Sequence, residues 1–154
     1  MSIFKAATSR QVDISLLLLR IATGAIFAVH GGQKLFIYGF EGVAGGFAQM
    51  GVPLAGLVGP LVGLVEFFGG LALVAGLLTR PAAFGLAITA LGATLIVHLP
   101  AGFFLPGGYE FVLMLFAASV ALMLSGAGSW SVDSLLAQRR VAPAAKAASP
   151  QRTS

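Results

Sequence analysis

The feature that most constrains this chain is a series of four apolar runs, each close to the length that crosses a membrane. The runs lie at about 14–34, 57–78, 82–99 and 109–125. An α-helix of about 20 apolar residues spans the roughly 30 Å hydrocarbon core of a bilayer. Backbone groups inside lipid must be satisfied within their own segment, which favours helices. We therefore predict an all-α fold, an integral membrane four-helix transmembrane bundle over residues 14–133.

Composition excludes other classes of protein. Of 154 residues, 58% are hydrophobic and only 9% are charged, whereas soluble domains carry about 25% charged residues. A soluble monomer of this size cannot bury so much apolar surface, and a disordered chain would not contain it. The chain has no cysteine, which excludes disulfides, thiolate metal sites and iron–sulfur clusters. Any redox role must therefore depend on a bound cofactor or a partner.

The segments that flank the apolar runs are short. Residues 1–13 are expected to form an N-terminal segment on the cytoplasmic side, with Asp13 as the N-cap of the first helix. Arg20 interrupts the first run, so we interpret it as a retained helix rather than a cleaved signal. The Gly-rich connection after it is expected to contain a short interfacial helix, Val43–Met50. Residues 134–154 are rich in Ala, Pro, Ser and Arg and are predicted to be a basic, disordered cytoplasmic tail.

The distribution of positive charge predicts the orientation of the bundle. If the helices alternate in direction, eight cations share one face and Lys34 alone lies on the opposite face; the eight are Lys5, Arg10, Arg20, Arg80, Arg139, Arg140, Lys146 and Arg152. The positive-inside rule then predicts a bacterial inner-membrane protein with both termini cytoplasmic. The net charge of +4 is thus assigned to topology and to anionic lipid headgroups rather than to nucleic acid.

Polar residues within the apolar runs are the candidate functional residues, because ionisable groups at membrane depth are costly. Six of them are predicted to converge on one polar pocket near the outer face: His30, Gln33, Lys34, Glu66, His98 and Glu110. Arg20 is expected on the inner side, where it pairs with Glu66 or anchors the inner end. Ordinary structural roles exist for several of the six, such as snorkelling for Lys34 and a favourable helix dipole for Glu110. A structural role is hardest to assign to Glu66, which needs a partner or a proton.

The chemistry of these residues best fits a quinone. A quinone headgroup requires a histidine or a carboxylate that hydrogen-bonds its carbonyls and exchanges protons within an apolar slot. Two histidines on separate helices are the axial ligands of a haem b in some proteins, but nothing else marks a haem pocket, so haem is not expected. No metal is predicted either, because no spacing typical of metal ligands is present.

Three motifs resemble one known family. The stretches from Leu18 to Phe36, from Gly63 to Arg80 and from Val97 to Glu110 are similar to the first helix, the second helix, and the third helix with its following loop in the DoxX family of membrane proteins. The resemblance extends over about residues 14–133. It implies a small four-helix integral membrane protein. It also implies an association with quinol oxidation, thiosulfate:quinone oxidoreduction or complexes that handle thiols and oxidative stress.

Three functions follow as hypotheses from the sequence. The first is a small membrane subunit linked to quinone-dependent oxidoreduction, in which Glu66 and His98 hold or exchange protons with the headgroup. The second is a non-enzymatic anchor or assembly partner for a redox enzyme. The third is a transporter of a small solute or protons, although four helices are few for alternating access. Whether the chain is itself an enzyme, and whether it forms a homo-oligomer, stay open at this point.

Overall fold

A computed structural model describes the backbone of residues 6–147 and the side chains of residues 6–139. Within these residues the fold is all-α, and no strand is present. The six helices are α1 (Ser9–Gly32), α2 (Gly39–Gln49), α3 (Ala55–Ala75), α4 (Thr79–Gly92), α5 (Glu110–Ser125) and α6 (Val132–Ala147). The predicted all-α membrane bundle is confirmed.

The membrane-spanning helices correspond to the four apolar runs. Three helical stretches are long and apolar enough to cross a bilayer: Ser9–Gln49, Ala55–Ala75 and Thr79–Ala101. The fourth, α5, has 16 residues and is therefore roughly 24 Å long. It packs along α4. The chain is thus a multi-pass membrane protein whose last membrane helix is shorter than the other three.

The first helix begins earlier than the sequence indicates. Thr8 is its N-cap: the Thr8 side chain accepts a hydrogen bond from the backbone N–H of Gln11, whose own side chain accepts one from the N–H of Thr8. This capping box satisfies the first donors of the helix. The prediction that Asp13 caps α1 is therefore wrong. Its carboxylate instead accepts a hydrogen bond from the backbone N–H of Ser129, at 2.8 Å.

The bundle core lies where α1, α3, α4 and α5 meet. Its buried side chains are Phe27, Leu73, Ala83, Leu86, Ala90 and Leu122. Most other large apolar side chains are exposed, which is the expected distribution when lipid rather than water surrounds the helices. Contacts between α1 and α3, and between α4 and α5, are the most extensive in the fold.

A short helix does follow the first apolar run. It begins at Gly39, four residues before the predicted start at Val43, and ends at Gln49. Gly39 has a positive φ of 68°, a conformation that glycine adopts without strain, and this residue separates α2 from the helix before it. Val43 packs on Gly59 of α3, where a Cβ atom would lie 3.0 Å from the Val43 Cγ1 atom.

The region after α5 differs from the prediction. Disorder was expected from residue 134, but the described part of the tail continues as α6 to Ala147. Side-chain hydrogen bonds order its first turn, since Ser131 Oγ accepts from the N–H of Ser134 at 3.1 Å. Residues 134–147 are thus helical where disorder was expected, and residues 148–154 lie outside the described part.

We call the end of the bundle that carries Thr8, the α3–α4 turn and the α5–α6 loop the terminal end. Hydrogen bonds join these segments there: Arg20 donates to a backbone carbonyl, and Asp13 and Asp133 accept from backbone N–H groups. The opposite end, which carries the α2–α3 turn and the loop 99–109, is called the distal end.

Candidate functional site

The central feature of the bundle is an ion pair between two of its spanning helices. Lys34 Nζ donates a hydrogen bond to Glu66 Oε2 at 2.5 Å, and the two side chains are 19% and 11% exposed. Glu66 lies on α3, eleven residues from Ala55 and nine from Ala75, which puts it near the middle of the helix. We call Lys34 and Glu66 the central pair. The pair provides the partner that a carboxylate at this depth requires.

Glycines allow the two helices to approach closely enough for this pairing. A Cβ atom on Gly31 would overlap the backbone of Phe67, and one on Gly63 would lie 3.3 Å from the Cβ atom of Lys34. Gly24 and Gly70 form a similar contact one step nearer the terminal end, with a Cβ on Gly24 only 2.6 Å from the Gly70 carbonyl oxygen. Small residues are typical of tight helix contacts in membranes. The contact of α1 with α3 therefore places Lys34 directly beside Glu66.

Two π-helical segments border the same region. One, Gln33–Tyr38, extends α1, and the other, Ala93–His98, extends α4. They contain Lys34 and His98 respectively. π-helical turns are rare in proteins, and many of those that occur lie at functional sites. Neither segment is predicted from the sequence, where the local signal is a glycine directly before each one, Gly32 and Gly92.

A cavity of about 480 Å³ lies between α2, α3, α4 and these two segments. Its polar lining consists of Lys34, Glu66, Thr89 and His98, and the remaining lining residues are apolar or glycine. Several lining side chains, including Leu61, Ile88 and Ile96, are exposed on the bundle, so the cavity is not closed towards the lipid. The volume of the cavity lies in the range of small-molecule sites, and its lining, mostly apolar with a few polar groups, is typical of them.

His98 and Glu110 organise the loop next to the cavity. His98 Nδ1 is 2.9 Å from the carbonyl oxygen of Gly107; since a carbonyl only accepts, Nδ1 carries the hydrogen. In the neutral ring, Nε2 is then a free acceptor. Glu110 Oε1 accepts a hydrogen bond from the backbone N–H of Leu105 at 2.8 Å. Glu110 therefore holds the loop and is not part of the cavity lining, whereas His98 belongs to both.

His30 and Gln33 lie elsewhere. Both side chains are exposed, and neither belongs to the cavity lining. Of the six residues predicted to converge, the structure thus brings together Lys34, Glu66 and His98.

Arg20 takes part in a separate cluster at the terminal end. Its side chain is 2% exposed, and its Nη1 and Nη2 atoms donate to the carbonyl oxygens of Ala127 and Trp130 at 2.7 and 2.8 Å. Of the two predicted roles, it therefore anchors this end of the bundle, and Glu66 takes Lys34 as its partner. Gly76 packs directly on the guanidinium group, with no space for a side chain.

Asp133 completes this cluster. Its two carboxylate oxygens accept hydrogen bonds from the backbone N–H groups of Leu78 and Thr79, at 2.8 and 2.9 Å. Partial burial opposes ionisation, but these backbone donors, together with the charge of Arg20, hold the pKa of Asp133 below its usual value. The carboxylate thus caps the start of α4 from outside the helix. We call Asp13, Arg20 and Asp133 the terminal cluster.

Metal ligands do not gather in the described part of the chain, where no group of three His, Asp or Glu side chains is close enough to hold an ion.

Comparison with known proteins agrees with the fold. The DoxX family model matches residues 15–99. The Bacillus subtilis protein named "Putative oxidoreductase CatD" is 34% identical over 125 residues, which cover 81% of this chain and 89% of that protein. The inner membrane protein YqjF of Escherichia coli is 34% identical over 128 residues, 80% of this chain and 93% of that protein. An uncharacterized membrane protein of Mycobacterium tuberculosis is 33% identical over 145 residues, 86% of this chain and 87% of that one. No solved structure matches the chain significantly.

Proposed function

The chain belongs to the DoxX family, and on that premise we propose that it binds the headgroup of a lipid-soluble quinone and supports oxidoreduction by a partner enzyme. The observation that carries this proposal is the central pair on the wall of an otherwise apolar cavity that is open towards lipid. A relative named as an oxidoreductase adds support from outside the structure. We also propose that the terminal end faces the cytoplasm, since Arg10, Arg20 and Arg80 all lie there and cytoplasmic segments carry an excess of positive charge.

The donors and acceptors of the site suit a quinone headgroup. An ammonium group has three N–H donors, and Lys34 uses one of them on Glu66. Two donors are left for a ligand carbonyl. Glu66 and the free Nε2 atom of His98 are acceptors for the hydroxyl hydrogens of the reduced, quinol form. The apolar lining excludes water and accommodates the ring and the start of an isoprenoid tail.

We assign the electrons to another protein. Reduction of a quinone to a quinol takes up two electrons and two protons, and a chain without cysteine has no thiol couple to supply electrons. The role of this chain is therefore to position the headgroup and to pass protons at Glu66 and His98. A separate redox enzyme, bound at the membrane, would exchange the electrons.

Quinone content of the purified protein tests the proposal. We would extract lipids from protein purified in mild detergent and measure quinone per protein by mass spectrometry, for wild type, Glu66→Gln and Glu41→Gln. Glutamine still accepts a hydrogen bond from Lys34, so the bundle should assemble. Glu41 is an exposed carboxylate on α2 outside the cavity and serves as the matched control.

The expected result is near-stoichiometric quinone in wild type and in Glu41→Gln, with a loss of about tenfold or more in Glu66→Gln. Background quinone in all three proteins would contradict the proposal and favour the anchor function. Co-purification of a soluble redox enzyme with a quinone-free protein would point in the same direction.

A further inference from the structure

Two polar side chains, His30 on α1 and Gln33 on the π-helical segment that extends it, are exposed although they lie at mid-membrane depth. Gly31 contacts Phe67 of α3, and Phe67 is twelve residues from Ala55 and eight from Ala75. At about 1.5 Å per residue, these distances are roughly 18 and 12 Å. Gln33 is two residues further along the chain, roughly 3 Å nearer the distal end, and therefore lies about midway between the ends of α3. His30 lies on the same turn.

Neither side chain has a hydrogen-bond partner within the described part of the molecule. Both are exposed, and neither forms a hydrogen bond with residues 6–139. The residues around them are strongly apolar, with Val29, Phe36 and Ile37 each more than 70% exposed. Lipid offers no hydrogen bond to an amide or an imidazole. In a single chain surrounded by lipid, the polar groups on this surface therefore lack hydrogen-bond partners.

The spacing of the exposed residues on α1 is that of a helix-pairing surface. We call this surface the free α1 face; its residues are Leu18, Ala22, Ala25 and Val29 on α1, followed by Gln33 and Phe36 on the π-helical segment that extends α1. From Leu18 to Val29 the steps are four, three and four, which is the repeat of a left-handed helix pair. Gln33 follows Val29 by four residues, at the start of the π-helical segment. Ala22 is small enough for a close approach. Gln33 is the single polar residue in the series.

We propose that the free α1 face is the contact between two copies of this chain, related by a two-fold axis along the membrane normal. In such a dimer, Gln33 meets Gln33 of the second copy at the same depth. A carboxamide has both donors and an acceptor, so two of them pair with each other. A lone amide in an apolar helix seam is a known determinant of register and of oligomeric state. His30, also a donor and an acceptor, lies beside this pair.

The chain is well suited to a direct test because it has no cysteine. We would introduce Val29→Cys on the free α1 face and, as a matched control, Phe68→Cys. Phe68 is 60% exposed and lies at a similar depth, next to the residue that contacts Gly31. Oxidative cross-linking in native membranes would be compared for the two variants, followed by the mass of each product.

The expected result is a disulfide-linked homodimer for Val29→Cys at a yield about tenfold above that of Phe68→Cys. Adding Gln33→Leu should weaken dimerisation of the Val29→Cys protein by about tenfold, whereas Gln33→Asn should retain it. Native mass spectrometry of the wild type from lipid nanodiscs should show two chains. Equal cross-linking of both variants, a product of another mass, or a wild-type monomer would each overturn the proposal. Quinone content should not change in Gln33→Leu, so this test is independent of the proposed function.

Discussion

The terminal cluster and the central pair both consist of charged residues in an apolar bundle, but they differ in what they bind. In the terminal cluster, Arg20, Asp133 and Asp13 are hydrogen-bonded to backbone atoms of the α3–α4 turn and the α5–α6 loop. These groups join separate segments of the chain, and Arg20 is the buried one of the three. The central pair joins two side chains only, and it borders a cavity. Charge therefore serves architecture at the terminal end, where it binds backbone, whereas the charge at mid-membrane depth is available to a ligand because Lys34 has donors left over.

The largest effect on stability is expected from Arg20. Arg20→Ala leaves the carbonyl oxygens of Ala127 and Trp130 without donors and removes a buried side chain. We expect the free energy of unfolding to fall by roughly 3–5 kcal/mol. The measurement is the melting temperature in detergent, together with the amount of protein in the membrane. A variant that melts like the wild type would show that the terminal cluster does not hold the bundle.

The contact that creates the central pair is tested by Gly31→Ala. The added methyl group overlaps the backbone of Phe67, so α1 and α3 must separate. We expect a loss of about 1–3 kcal/mol and a loss of quinone. Gly45→Ala is the matched control, because a Cβ atom there meets no neighbour within 4 Å. Equal melting temperatures for the two variants would refute the close contact.

Asp133 gives the terminal cluster an acid-sensitive component. Its pKa is lowered in the folded state, so the carboxylate contributes stability that is present above the unfolded value of about 3.9. This contribution is lost as the pH falls through the folded-state pKa. Asp133→Asn should cost about 1 kcal/mol near neutral pH and should flatten the decline of the melting temperature below about pH 4. Identical pH profiles for variant and wild type would exclude this role.

The smallest effect on stability is expected at the cavity. Gly92 lines it, and a Cβ atom at Gly92 meets no neighbour within 4 Å. Gly92→Leu should therefore fill the cavity, change stability by no more than about 0.5 kcal/mol and remove bound quinone. Gly56→Leu, at an equally open glycine outside the lining, is the control. Retention of quinone by Gly92→Leu would show that the quinone does not bind in this cavity.

The sequence was sufficient to predict the fold and part of the candidate site. Long apolar runs determine where the helices lie, and the scarcity of charge made Glu66 and Arg20 conspicuous. The predicted depth of Glu66, near the outer face, was less accurate. Because α3 begins at Ala55 rather than near 57, Glu66 lies close to the helix centre.

The partners of the charged residues could not be predicted. A regular helical wheel puts Arg20, His30 and Lys34 on one side of α1, but only Arg20 and Lys34 point into the bundle. The wheel cannot include the π-helical segment at Gln33–Tyr38, which depends on tertiary packing. Arg20 binds backbone carbonyls of a loop more than 100 residues away, and no local pattern encodes that contact. Whether the three residues at the cavity bind a quinone stays a prediction.

The most direct measurement is isotope-edited infrared spectroscopy of a quinone with ¹³C-labelled carbonyls, added to the wild-type protein and to Lys34→Gln. We predict that one carbonyl stretch of the bound quinone shifts to lower frequency in the wild type, because Lys34 donates to it. The shift should disappear in Lys34→Gln. Two unperturbed carbonyl bands, or no bound quinone at all, in the wild type would contradict the claim that the central pair is a quinone headgroup site.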